Sequence, residues 1–137
     1  MKMEYKWAYV IQDRMKTMAM GPEILSPSYF IGGVLPEESR YQHWKEGAEL
    51  IYKLTKSGIL YLDGATSPTE DLSWFYDELR NNDPFGDGAG LWMAQELGLT
   101  QTGKEILERY EIQLSEAKVT PEFIDELERI FEGQKPC

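Results

Sequence analysis

Histidine and cysteine are almost absent from this chain. Its 137 residues include one of each, His43 and Cys137. A single cysteine excludes an intramolecular disulfide and any Cys-x-x-Cys motif, and it is typical of proteins from reducing compartments. His43 and Glu46 have the spacing of one helix face, but a zinc site needs three or four ligands and no second cluster supplies them. We therefore expect no metal, no cofactor and no catalytic residue.

Long apolar runs are missing as well. No segment approaches the roughly 20 apolar residues that a helix needs to cross a bilayer. Residues 1–16 have no uninterrupted apolar stretch and no small-residue cleavage site, so we expect no signal peptide. These absences predict a cytoplasmic protein that has no membrane partner.

Positive charge is scarce in the second half of the chain. Residues 1–65 carry eight Lys/Arg and eight Asp/Glu, whereas residues 66–137 carry six Lys/Arg and sixteen Asp/Glu. The whole formal net charge of −10 therefore arises in this acidic half. Because such a surface repels DNA, RNA and anionic lipid, we expect no nucleic-acid partner, and we expect a basic protein instead.

The remaining composition is sufficient for a folded core. The chain is 42% hydrophobic and 12% aromatic, and its length is typical of one domain. No internal repeat or low-complexity linker divides it. We predict one mainly α domain over residues 1–137, with about five helices and a minor β element.

Helical periodicity is clearest in three segments. Segment 5–20 is predicted as a helix, with a strand over 7–12 as the alternative. Pro36 and Gly58 mark the ends of a central helix, and Thr120-Pro121 begins the last one. The predicted buried face of the central helix comprises Tyr41, Trp44, Ala48, Ile51 and Thr55, flanked by Leu50 and Leu54.

One short segment, residues 59–62, has the composition of a strand. Its sequence is Ile-Leu-Tyr-Leu, and Asp63-Gly64 ends it. It is too short to form a sheet alone, so we expect it to pair with the first segment or with residues 29–34.

Ser67-Pro68-Thr69-Glu70 has the pattern of a capping box at the start of a helix. That helix would bury Leu72, Phe75, Tyr76 and Leu79. Trp74 would then point away from the core among carboxylates, as in many protein interfaces, unless it packs under a neighbouring segment such as the first helix. The partner surface predicted from this arrangement consists of Glu70, Trp74, Asp77, Glu78, Asp83, Asp87 and Trp92.

Residues 85–90 form a glycine-rich loop beside these carboxylates. The loop lacks the Gly-Lys-Ser/Thr ending of a phosphate loop, and Ala94 stands where a calcium loop requires glutamate. We interpret it as a flexible connection, followed by a short helix from about Leu91 to Leu97 and another from about Thr102.

Residues 92–112 suggest a helix-turn-helix. Ala94 and Gly98 have the appropriate mutual spacing, and the segment from Leu99-Thr100 to Gly103 is similar to a helix start common in winged-helix proteins. This resemblance implies a transcriptional regulator. However, the recognition helix would carry Glu105, Glu108 and Glu111, which oppose phosphate.

Two functions from different classes follow from these observations. The leading hypothesis is a small inhibitor that caps a basic partner, such as an immunity protein of a bacterial toxin system or a phage-encoded inhibitor; its partner would be a toxin or nuclease domain. The alternative is a helix-turn-helix or winged-helix-like regulator that uses residues 92–112. An enzyme is disfavoured, because no motif arranges the single histidine with a nucleophile. No oligomeric state is predicted.

Overall fold

Helices dominate the computed structural model, which confirms the predicted mainly α fold with a minor β element. It describes residues 5–20, 24–30, 40–63, 72–83, 86–110 and 120–133. In chain order the elements are α1 (Tyr5–Met20), β1 (Ile24–Leu25), a 3-10 turn (Pro27–Phe30), α2 (Arg40–Lys56), β2 (Leu60–Leu62), α3 (Ser73–Asn81), α4 (Ala89–Ala94), β3 (Leu97–Leu99), α5 (Gln101–Arg109) and α6 (Pro121–Gly133).

The first helix has the bounds that periodicity predicts, and the alternative of a strand over 7–12 is wrong. Its buried side includes one polar residue, Gln12, which is only 5% exposed. The Gln12 Oε1 atom accepts a hydrogen bond of 2.8 Å from the backbone N–H of Thr120. Because Thr120 immediately precedes α6, this bond fixes the start of the last helix against the first.

The central helix α2 buries the predicted faces. Trp44, Ala48, Ile51 and Thr55 lie in the core, together with the flanking Leu50 and Leu54. The helix is followed by Gly58, whose φ of 82° lies in the left-handed region that favours glycine. The predicted start at Pro36 and the side chain of Tyr41 lie outside the described residues.

The three strands form one antiparallel sheet in the order β1-β3-β2. The predicted strand at 59–62 is confirmed as β2, but its partner is β3, with Leu60 opposite Leu99 and Leu62 opposite Leu97. Pairing with the first segment is therefore wrong. The other predicted partner of this strand is the segment 29–34. Residues 29–30 belong to the 3-10 turn, and residues 31–34 lie outside the described residues.

The short helix predicted from about Leu91 to Leu97 is wrong at its C-terminal end, because Leu97 belongs to strand β3. The helix α4 ends at Ala94, and Gln95 is extended, with φ −76° and ψ 154°. All three residues of β3 are buried between the two other strands. Pairing on both sides thus stabilises an extended conformation that the local sequence does not specify.

The buried side chains form one hydrophobic cluster that joins all six described α-helices to the sheet, and α4 contributes Trp92 to it. The last helix begins at Pro121, as predicted, and ends at Gly133; it buries Phe123, Ile124, Leu127 and Phe131. None of the helices in the described ranges is both long and apolar enough to cross a membrane.

Candidate partner-binding surface

Neighbouring strands β2 and β3 are joined by a very long connection. Antiparallel neighbours usually need only about two to five connecting residues. Here Leu62 pairs with Leu97, so residues 63–96 lie between them. We call this segment the acidic insertion, because it carries eight Asp/Glu and only one Arg, which is −7 of the chain's net charge of −10.

Helix α3 of the insertion is held against the rest of the fold. Helix α3 packs on α2 and buries Phe75 and Leu79. Two buried indoles bond to its C-terminal end: Trp44 Nε1 donates to the carbonyl of Arg80 at 3.1 Å, and Trp92 Nε1 donates to that of Asn82 at 2.7 Å. These bonds satisfy carbonyls that a helix end leaves unpaired.

Two stacked rings, each with a cation over its face, reinforce the junction of α2 and α3. The rings of Tyr52 and Tyr76 stack with their centroids 4.9 Å apart. Lys56 Nζ lies 5.6 Å from the Tyr52 centroid, and the Arg80 guanidinium lies 5.3 Å from that of Tyr76. Both cations thus lie within the distance at which cations are attracted to aromatic faces. Helix α3 is therefore fixed against α2, and it forms a rigid support for the side chains on its exposed face.

The glycine-rich loop is more closely packed than predicted. The carbonyl of Asp83 accepts backbone hydrogen bonds from Gly86 and Gly88, at 3.1 and 2.8 Å. Gly88 is buried, and a Cβ atom there would lie 2.5 Å from the backbone carbon of Asn82. The interpretation as a flexible loop is therefore wrong at Gly88, while residues 84–85 lie outside the described ones.

Trp74 is the exposed aromatic side chain among the residues of the insertion that the structure describes. Its exposed fraction is 52%, and its indole N–H donates to no group among the residues that the structure describes. The other three tryptophans are buried and donate to Glu46, Arg80 and Asn82. The predicted outward orientation of Trp74 is thus found, and the alternative of packing beneath a neighbour is not.

Two carboxylates lie on the same face of α3 as this indole. Asp77 and Glu78 follow Trp74 by three and four residues, which places them about one turn away on the helix surface. Both are exposed. Asp77 Oδ1 lies 3.6 Å from Arg80 Nη2, and Glu78 Oε2 accepts from Asn82 Nδ2 at 3.3 Å. These partners orient the carboxylates without removing them from solvent.

Not every predicted surface residue belongs to this face. Asp87 is exposed and Asp83 is half-buried, whereas Glu70 lies outside the described residues. Trp92 is 0% exposed and is part of the core, so its inclusion in the partner surface is wrong. Its ring belongs to the hydrophobic core and its N–H donates to the carbonyl of Asn82, which together favour burial.

The predicted capping box does not begin α3. This helix starts at Ser73, and its N-cap residue is Leu72, which has φ −100° and ψ 19° and makes no side-chain hydrogen bond. Residues 67–70 lie outside the described ranges. The placement of Trp74 therefore depends on the buried positions Phe75 and Leu79 rather than on an N-terminal cap.

Within the predicted helix-turn-helix over 92–112, the described residues 92–110 do not form one. Strand β3 separates α4 from α5, and Gly98 belongs to that strand. The pattern from Leu99 to Gly103 has a structural role instead: Thr100 Oγ1 accepts from the N–H of Gly103 at 3.1 Å and lies 2.9 Å from the carbonyl oxygen of Ile59, to which it donates. It caps α5 and ties that helix to the start of β2.

The described part of the chain has few clusters of side chains that could bind a metal ion or take part in catalysis. No group of three or more His, Cys, Asp or Glu side chains there is arranged to hold a metal ion. Arg109 Nη1 lies 2.6 Å from both carboxylate oxygens of Glu126, which joins α5 to α6 structurally. The face around Trp74 is thus the best-supported candidate site.

Comparisons with known proteins add no relative: no family model, curated protein or solved structure matches this chain.

Proposed function

We propose that this protein binds a basic protein partner through the outward face of α3 and neutralises it. The observation that carries the proposal is the acidic insertion, which concentrates charge in a connection between two paired strands and presents an exposed indole on a rigid helix. A connection between two paired strands suits this role, because the strands hold its ends while its own sequence can vary.

Charge and ring would contribute differently to the complex. Carboxylates such as Asp77 and Glu78 attract a basic surface over several ångströms and accelerate the encounter. A tryptophan that becomes desolvated in an apolar pocket slows dissociation. The indole N–H of Trp74 can also donate a hydrogen bond to a carbonyl of the partner. The carboxylates would thus attract the partner, the ring would slow its dissociation, and the N–H would fix its orientation.

An immunity protein or a phage-encoded inhibitor would use such a face. Toxins that act on nucleic acids need basic clefts for their substrates, and an acidic protein bound there excludes the substrate. The proposed partner is therefore a toxin or nuclease domain, and the proposed consequence of binding is loss of its activity.

Substitutions on the face test the proposal. The partner is captured from the source cells on the immobilised protein and purified, and its binding to each variant is then measured by surface plasmon resonance. We expect Trp74→Ala to cost about 2 kcal/mol or more through faster dissociation, because the anchor is lost. The pair Asp77→Asn/Glu78→Gln should mainly slow association and weaken its salt dependence.

Matched controls lie outside the insertion. Tyr29 is an exposed aromatic of the 3-10 turn, 53% exposed, and Glu105 and Glu108 are exposed on α5. Tyr29→Ala and Glu105→Gln/Glu108→Gln should bind like the parent protein. If the α3 variants also bind like the parent while melting normally, the partner contacts another surface and the proposal is wrong.

A second candidate, the transcriptional regulator, is supported by the sheet. Its strand order β1-β3-β2, with a helix before the β2–β3 pair, resembles that of winged-helix domains. In this chain, however, the place of the wing between β2 and β3 is taken by the acidic insertion, and α5 exposes Glu105 and Glu108. Both features oppose phosphate, so protein binding is the better-supported function.

A further inference from the structure

We propose that the partner's binding site is a groove for single-stranded nucleic acid, so that this protein and the nucleic acid exclude each other. The inference rests on the proposed function of the α3 face. Its basis is the juxtaposition of a ring and negative charges on one short, rigid surface: the exposed indole of Trp74, with the carboxylates of Asp77 and Glu78 about one helical turn away.

Grooves that hold single strands recognise this same combination. They follow the phosphates with Lys and Arg and stack the bases on aromatic side chains or guanidinium planes. An exposed indole presents a flat π-face, as an unstacked base does, and the neighbouring carboxylates present the negative charge. A protein that blocked a basic groove by charge alone would need the carboxylates but not the exposed indole.

The exposure of the ring favours single strands over duplexes. In a duplex the base faces are stacked inside the helix, and a protein contacts phosphates and groove edges instead. A duplex-binding cleft would offer a protruding ring no stacking position. Trp74 stays 52% exposed although three other tryptophans of this chain are buried, so a partner that covers it gains the burial of a large ring.

Competition between the protein and defined oligonucleotides tests the inference. The purified partner is titrated with fluorescent oligothymidylate, with oligouridylate, with an abasic oligonucleotide of the same length, and with a duplex. We expect the partner to bind the base-containing single strands at least about tenfold more tightly than the abasic strand, because stacking is lost in the latter.

The parent protein should then displace the bound strand competitively, without a ternary complex. Trp74→Ala should need about 30-fold higher concentration for the same displacement, whereas Tyr29→Ala should match the parent. Comparing oligothymidylate with oligouridylate shows whether the groove serves DNA or RNA, and either result supports the inference.

Several outcomes would overturn it. A ternary complex, a partner that binds only duplex or no nucleic acid, or equal affinity for the abasic strand would each exclude a shared stacking groove. These results leave the proposed function intact if Trp74→Ala still loses affinity for the partner. If instead Trp74→Ala binds the partner like the parent, or no protein is captured, the proposed function fails as well.

Discussion

At the scale of single residues, the four tryptophans show how environment divides one side-chain type between two roles. Trp7, Trp44 and Trp92 are buried and donate their indole N–H groups to oxygen atoms of the protein. Trp74 is exposed and donates to no described group. The first three therefore contribute to the folding free energy, and the fourth is available for a partner.

The buried and exposed tryptophans should therefore contribute very differently to stability. Trp92→Ala should lower the free energy of unfolding by about 3–5 kcal/mol, because it opens a cavity and leaves the carbonyl of Asn82 unpaired. Trp74→Ala should change it by no more than about 0.5 kcal/mol, as for most surface positions. Urea denaturation of the two variants beside the parent measures both. A large loss in Trp74→Ala would instead assign this ring to the core.

Sequence periodicity identifies these roles only in part. The helical positions of Phe75 and Leu79 predict that Trp74 faces outward, and the structure agrees. The sequence prediction includes Trp92 in the partner surface with Asp83 and Asp87, whereas the ring is buried. Helix α4 packs against the 3-10 turn, and the Trp92 indole donates to the carbonyl of Asn82. Contacts of this kind join residues that are far apart in the chain, so local spacing does not reveal them.

At the scale of elements, the long helices and strand β2 are predictable from the sequence, whereas strand β3 and the pairing of the sheet are not. Helices α1, α2 and α6 have apolar stripes and glycine or proline boundaries within their own sequences. Strand β3 has three residues, and its conformation depends on pairing with β1 and β2. Because the insertion is defined by that pairing, its bounds cannot be read from the sequence. The sequence shows only that residues 66–137 are acidic as a whole.

Two helical glycines give a test of element packing. A Cβ atom at Gly103 in α5 would lie 2.7 Å from the carbonyl oxygen of Ile59, whereas one at Gly90 in α4 would have no neighbour within 4 Å. Helix propensity alone predicts a gain of up to about 1 kcal/mol for either alanine. We expect Gly90→Ala to show such a gain and Gly103→Ala to lose about 1–3 kcal/mol through overpacking.

Thermal and urea denaturation of both variants distinguish these effects. Similar stabilisation of the two proteins would mean that α5 is not fixed against the start of β2 as described. A loss in both would show that the propensity argument fails for the short helix α4.

At the scale of the whole molecule, charge is distributed according to the fold. The acidic insertion holds −7 of the net charge of −10, which leaves −3 for all other residues. The scaffold of helices and sheet is thus nearly balanced, and the repulsive field is concentrated on one connection. The acidic half noticed in the sequence is, in three dimensions, mainly this one segment.

We expect the protein to bind no nucleic acid by itself, because non-specific affinity comes from cationic contacts that this surface lacks. Fluorescence anisotropy with random duplex and single strands at about 50 mM salt should show no binding at micromolar concentrations. Micromolar binding would contradict the expectation and favour the winged-helix-like regulator. A basic nuclease measured beside it serves as the positive control.

The isolation of Trp74 among buried indoles has a spectroscopic consequence. Three of the four fluorophores are shielded, so collisional quenching by acrylamide, which is neutral and not repelled by carboxylates, should act chiefly on Trp74. A partner that covers α3 would remove this quenchable component and shift the emission to shorter wavelength. The unlabelled protein thus carries its own optical reporter at the proposed binding face.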